Sequence, residues 1–199
     1  RGPGAGADPH HGRFLGVLAA MTIIAAVQDA KQRCTWIGAD SRVSNDGTVY
    51  PVTYQKIKTD GRYAIAGAGW SSGTTIVQRM DDLFAGEPDA FEVANRIHKR
   101  IRASCWRERD GDGPHAYGCY FILVVGAEIF DVDGSFDVCR INDGVLWARG
   151  SGAPFAIGAG AALAGRASGE KRLRGALEIA ARFEAGCAPP FFVHRVEWP

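Results

Sequence analysis

The 199-residue chain predicts an α+β fold: a four-layer α/β/β/α sandwich of two antiparallel sheets flanked by helix pairs. Three observations predict it. Short apolar runs bounded by turn signals occur in three groups, and helical periodicity fills the two gaps between them. The order is strands, two helices, strands, two helices, strand, so each half supplies a sheet and a helix pair. A sheet and an amphipathic helix pair bury their apolar faces together, and two such units stack sheet on sheet. A plain α+β domain is the alternative.

The elements follow in order. Residues 22–27 and 35–39 read as strands, joined by the polar turn 28–33 into a hairpin. Asn45-Asp46-Gly47 is a strong turn signal. Residues 56–59 and 63–66 are two more strands, turning at Asp60-Gly61. Apolar residues then recur with helical spacing over 72–84 and 90–106. A charged, Gly-rich loop occupies 107–114. Strands return at 120–125, 128–132, 136–141 and 145–148, with turns at Asp133-Gly134 and Asp143-Gly144. Helices are expected over 153–164 and 171–185. Pro189-Pro190 stops the last one, and 191–196 adds a final strand.

Residues 1–13 have no periodicity and are rich in Gly and Pro. Residues 14–20, after Arg13, are too short for a convincing signal-peptide core. Segment 1–20 is therefore expected to be a disordered leader, a propeptide or an upstream-translated piece, and 21–199 a single domain.

Composition narrows the function. The formal net charge is +1 with no dense Lys/Arg block, so nothing favours nucleic acid. The cluster His98-Lys99-Arg100-Ile101-Arg102 reads as a solvated helix face. No run approaches the ~20 apolar residues that span a bilayer. Five cysteines at irregular spacing, Cys34, Cys105, Cys119, Cys139 and Cys187, argue against a disulfide framework and for a reducing, cytoplasmic setting. No metal site is expected: there is no Cys-x-x-Cys pair, and His10-His11 sits in the leader. Gly67-x-Gly69-x-x-x-Gly73 lies between a strand and a helix, but its spacing fits neither a Rossmann turn nor a P-loop.

The most informative residues are Met21-Thr22, at the head of the apolar run Ile23-Ile24-Ala25-Ala26-Val27. Removal of the methionine leaves a threonine with a free α-amine. Its hydroxyl is then a nucleophile, and its amine, with a pKa of roughly 7.7–8.0, is a base near neutral pH. The alternative is an ordinary first strand. Three further segments stand beside it. Ile37-Gly38-Ala39-Asp40-Ser41 ends the partner strand with a carboxylate. Gln55-Lys56-Ile57 places a lysine at the start of a strand. Gly150-Ser151-Gly152-Ala153-Pro154 places a serine in a glycine-flanked turn before a helix. Alone, Asp40 reads as a turn cap, Lys56 as a solvated charge and Ser151 as a helix N-cap.

Together, in this order and near this spacing, the four segments resemble the proteasome-like branch of the N-terminal-nucleophile hydrolases. The bacterial HslV-type peptidase and related small bacterial and phage proteins are the nearest look. The resemblance runs from Thr22 to about Val193 and implies roles residue by residue. Thr22 is the nucleophile and its amine the base. Lys56 sits beside the hydroxyl and lowers its pKa. Asp40 pairs with Lys56, keeping it oriented and charged. Ser151 hydrogen-bonds the amine. The turn Ala66-Gly67-Ala68-Gly69 matches the family's oxyanion turn, with the Gly69 N–H as donor. Tyr54 lines the pocket for the substrate residue before the cut, or else packs in the core, and Ser71 lies at the pocket's far wall.

Two departures stand out. The family often places an Asp and a Ser three residues apart near the end of the last helix, and here Glu184-Ala185-Gly186-Cys187 takes their place. Glu184 and Cys187 are the expected substitutes. Family propeptides usually leave glycine before the threonine, and here Met21 precedes it, which favours Met21 as the true start. The resemblance implies a threonine peptidase acting on peptide or protein substrates, without cofactor, as a homo-oligomeric ring or stacked array. An ATP-dependent unfoldase is a possible partner. The competing expectation is a catalytically silent shell subunit that retains the leader.

Overall fold

The structure is a computed structural model that describes residues 22–45, 48–50, 53–105 and 118–199. Segment 1–20, Met21, His10-His11, the loop 107–114 and the centre of the Asn45-Asp46-Gly47 turn lie outside the described residues. Eleven strands are described: β1 (Ile24–Asp29), β2 (Cys34–Ala39), β3 (Val43–Asn45), β4 (Thr48–Tyr50), β5 (Ile57–Asp60), β6 (Tyr63–Gly69), β7 (Cys119–Val125), β8 (Glu128–Val132), β9 (Val138–Arg140), β10 (Trp147–Arg149) and β11 (Phe192–Glu197). Four helices accompany them: α1 (Ser71–Gln78), α2 (Ala90–Cys105), α3 (Ala153–Ala162) and α4 (Gly169–Phe183).

Two antiparallel sheets carry the fold. The first has the order β10-β1-β2-β11, the second β5-β6-β7-β8-β9, and β3-β4 form a separate small hairpin. The halves of the chain therefore do not keep to their own sheets. β10 and β11, from the second half, flank the N-terminal hairpin, while β5 and β6 pair with β7. Local turns fix β1–β2 and β5–β6, but the long-range pairings depend on which apolar faces meet.

Three apolar layers make the stack four layers deep. Ile24, Ala26, Ile37, Ala64, Ala66, Ala68, Ile122 and Val124 fill the space between the sheets. Ala25, Val27 and Ala148 face the other way, onto Leu173, Ala176, Leu177 and Ala180 of α4. Ile65, Phe121 and Leu123 pack on Val77, Val93, Ile97 and Ile101 of α1 and α2. β1 is thus buried on both faces, which is why it reads as an unbroken apolar run rather than an alternation.

One helix ends earlier than its periodicity predicts. Residues 72–84 fit a helical stripe, yet α1 stops at Gln78. Met80, Leu83 and Phe84 still reach the core. The Arg96 guanidinium donates to the carbonyls of Asp82, Leu83 and Ala85, so that backbone is satisfied without a helix. Among the described residues, no helix is long and apolar enough to cross a membrane, and no cluster of His, Cys, Asp and Glu could hold a metal ion.

Candidate active site

Thr22 lies two residues before the start of β1 and is only 5% exposed. Its partners come from three directions. Asp40 directly follows β2, next to Thr22 across the hairpin, and is fully buried. Its N–H donates to the Ile23 carbonyl, and its Oδ1 accepts the Ile23 N–H at 3.0 Å and the Thr22 hydroxyl at 2.7 Å. Oδ2 accepts the Arg42 N–H at 3.0 Å, so the residue also forms the local turn. Lys56 arrives from the facing sheet, tied to β6 by the Gly67 N–H that donates to its carbonyl. Its ammonium donates to Asp40 Oδ1 at 2.6 Å and to the Thr22 hydroxyl.

Ser151 closes the third side. The Thr22 N–H donates to Ser151 Oγ at 3.3 Å, and the Gly152 N–H donates to the Thr22 carbonyl at 3.3 Å. Gly152, not Ser151, is the N-cap of α3, and no side chain caps that helix. The serine hydroxyl is therefore turned to Thr22 rather than to the helix. Glycine is required beside it: Gly150 has φ +101, and a Cβ there would sit 2.2 Å from the Thr22 carbonyl oxygen. The glycine flanks are the sequence trace of this close approach.

The other expected residues fall less tightly. Gly69 ends β6 on the facing sheet with φ +97, a conformation that suits glycine. A Cβ there would meet the Gly118 carbonyl oxygen at 2.1 Å. Tyr54 is half-buried and its hydroxyl pairs with Thr75 Oγ1 of α1 at 2.8 Å. Ser71 is exposed at the first position of α1. Glu184 is the C-cap of α4, and its carboxylate accepts the Gly186 N–H at 3.0 Å. Cys187 is buried against Gly152, whose Cβ would lie 2.8 Å from its sulfur.

Electrostatics set Lys56 and Cys187 apart. Burial lowers the Lys56 pKa from its ordinary value, and the Asp40 carboxylate opposes that shift. Asp40 is thus the main group that favours the charged ammonium against the cost of burial. Burial, reinforced by the Asp40 and Glu184 carboxylates, pushes the Cys187 thiol up from 9.0 to about 12. A raised acid pKa stabilises the fold below the unfolded value, and that contribution fades as pH rises toward the folded value. Cys187→Ser removes the titration. Between roughly pH 8 and pH 11 the melting temperature of Cys187→Ser should therefore fall less than that of the unsubstituted chain. Equal pH slopes would show that Cys187 is not held protonated.

Sequence reasoning missed Arg149 and Asp131. Arg149 of β10 forks onto the buried Asp131 of β8, with Nε donating to Oδ1 at 2.7 Å and the second nitrogen to Oδ2. A carboxylate in the apolar run Ile129-Phe130-Asp131-Val132 was the only sign of it.

A hydroxyl held between an ammonium and a carboxylate, in a buried site, is placed for activation as a nucleophile. Solved structures carry the same arrangement of sheets and helices. Thiobacillus denitrificans BPH superposes with a TM-score of 0.72 at 22% identity, over 89% of this chain and 99% of that one. Its complex with epoxomicin gives 0.72 at 23%, over 89% and 100%. The eukaryotic HslV of Trypanosoma brucei gives 0.71 at 20%, over 88% and 99%. The chain has the HslV-type, proteasome-like fold. No family model matches the sequence, and no curated protein matches it either. At these identities the likeness carries the fold, and the chemistry rests on the residues around Thr22.

Proposed function

We propose that the chain is a threonine-type amide hydrolase, a proteasome-like peptidase in which a free N-terminal Thr22 is both nucleophile and base. One observation carries this reading: the Thr22 hydroxyl lies between Asp40 Oδ1 and the Lys56 ammonium while its nitrogen meets Ser151. The amine takes the hydroxyl proton as Oγ1 attacks the substrate carbonyl carbon. The Gly69 N–H receives the developing oxyanion, an interaction worth ~10²–10³ in rate in comparable sites. The proton passes to the leaving amine, and water, activated by the same amine, releases the acyl group from Thr22. Tyr54 and Ser71 bound the pocket for the residue before the cut. The chain works as a homo-oligomeric ring or stacked array in the cytoplasm, with an ATP-dependent unfoldase as candidate partner. The silent-shell reading applies to any form that keeps residues before Thr22, because its Thr22 nitrogen is an amide.

The reading is tested by turnover of peptide amides by a form beginning at Thr22, and by its inhibition with epoxomicin. Absence of both would overturn it. Lys56→Ala is expected to lower turnover by about 10²–10³-fold and Asp40→Asn somewhat less. The two act as one unit, so the double variant should lose far less than the product of the single losses. Simple multiplication of the two effects would break the proposed coupling. Asp40→Asn leaves a buried ammonium short of its partner, so each variant is melted alongside the assay.

A further inference from the structure

The candidate site is split between the sheets. Thr22, Asp40 and Ser151 flank the ends of β1, β2 and β10 in one sheet, while Lys56 directly precedes β5 and Gly69 ends β6 in the other. The gap between the sheets therefore sets the distance between nucleophile and oxyanion donor. Among the described residues, two ion pairs cross that gap: Lys56–Asp40 and Arg149–Asp131. The second lies outside the reaction chemistry, yet its placement ties it to the neighbours of Thr22, Ser151 and Gly69.

Arg149 pairs with Ile24 in the β10–β1 ladder, two residues from Thr22, and it is two residues before Ser151. Along β10, Trp147 packs into the layer between the sheets and Ala148 faces α3 and α4. Strand alternation returns Arg149 to the inner face. Asp131 stands on the inner face of β8, two residues from Ile129. The guanidinium carbon lies 5.2 Å from the Tyr120 ring centroid and 5.7 Å from that of Trp147. Tyr120 in turn pairs with Ala68, the residue before Gly69. A planar, forked side chain is thus fixed by two bonds at one end and flanked by two rings, a geometry lysine cannot copy.

We propose that Arg149, locked by Asp131, is a positioning residue that holds the two sheets at working separation and so aligns Thr22 and Ser151 with Gly69; the proposal rests on the peptidase reading. It touches no substrate. Its loss lets the edge strand β10, and the Ser151 turn behind it, move relative to the facing sheet.

The test uses the chain beginning at Thr22 with three substitutions: Arg149→Lys, Arg149→Met, and the pair Arg149→Met with Asp131→Leu. The paired substitution removes both charges, so no buried ion is left unpartnered and the fold should survive with a similar melting temperature. Its kcat should fall by about 10²-fold, the scale of a small misplacement of reacting groups. KM and the pH optimum should hardly change, because no substrate contact and no titrating group of the site is removed. Arg149→Lys should recover part of kcat. Hydrogen exchange should quicken in 23–25 and 147–152 but not at the opposite end of β1 and β2, over 28–35. A folded double variant with unchanged kcat and unchanged exchange overturns the proposal, as does an effect confined to KM. If the unsubstituted chain does not cleave peptides, exchange decides alone. Faster exchange in those two segments then upholds the positioning role while the peptidase reading falls, and unchanged exchange overturns both.

Discussion

Thr22→Ala, in a form that begins at residue 22, is expected to abolish peptide hydrolysis and leave the fold in place. The substitution removes one hydroxyl and one methyl group from a position that is 5% exposed. The hydroxyl's two partners remain paired with each other, since Lys56 Nζ lies 2.6 Å from Asp40 Oδ1. No buried charge is stranded, so the stability cost should be near the ~1 kcal/mol of one hydrogen bond. Asp40 also keeps its backbone donors from Ile23 and Arg42. The rate effect is of another order. Deleting the nucleophile of a comparable covalent hydrolase costs on the order of 10⁶ in kcat. Turnover of a peptide amide and a thermal melt separate the two effects. Retained turnover with a normal melt would return Thr22 to the role of an ordinary residue at a strand's head.

Much of the fold was legible in the sequence because its short-range signals are strong. The apolar run after Thr22, the turns at Asp60-Gly61 and Asp133-Gly134, and the amphipathic stripe of α4 each act locally. Strand partnership was less legible. Nothing near Trp147 or Phe192 in the sequence says that these strands flank β1 and β2, because pairing is decided by faces that meet across more than a hundred residues. The end of α1 was misread for a related reason. The spacing of Val77, Met80, Leu83 and Phe84 suits a helix and a chain of turns equally, and Arg96, distant in sequence, settles it.

The candidate site divides in the same way. Asp40, Lys56 and Ser151 were readable as types in an order, and the structure brings all three onto Thr22. The Thr22–Asp40 hydrogen bond was not anticipated, since Asp40 was expected to act on Lys56 alone. It follows from hairpin geometry: the chain leaving β2 runs beside the residue that enters β1, as the Asp40 N–H to Ile23 carbonyl bond records. Cys187 reaches the site through its burial against Gly152. Glu184, three residues earlier, turns back on its own loop to hold the Gly186 N–H. Two residues that look interchangeable in sequence thus have different surroundings.

The free amine is the central claim, and it has a direct test. Two forms are compared: one beginning at Met21, with removal of the methionine verified by intact mass, and one carrying residues 1–21 and verified to stay uncleaved. In the longer form the Thr22 nitrogen belongs to a planar amide whose lone pair is delocalised into the preceding carbonyl. It still donates to Ser151, but it cannot accept a proton. General-base assistance is worth about 10²–10⁴-fold, so the gap should be easy to measure. The shorter form should hydrolyse peptide amides and the longer form should fall by at least that factor. Equal activity in the two forms would exclude Thr22 as an N-terminal nucleophile.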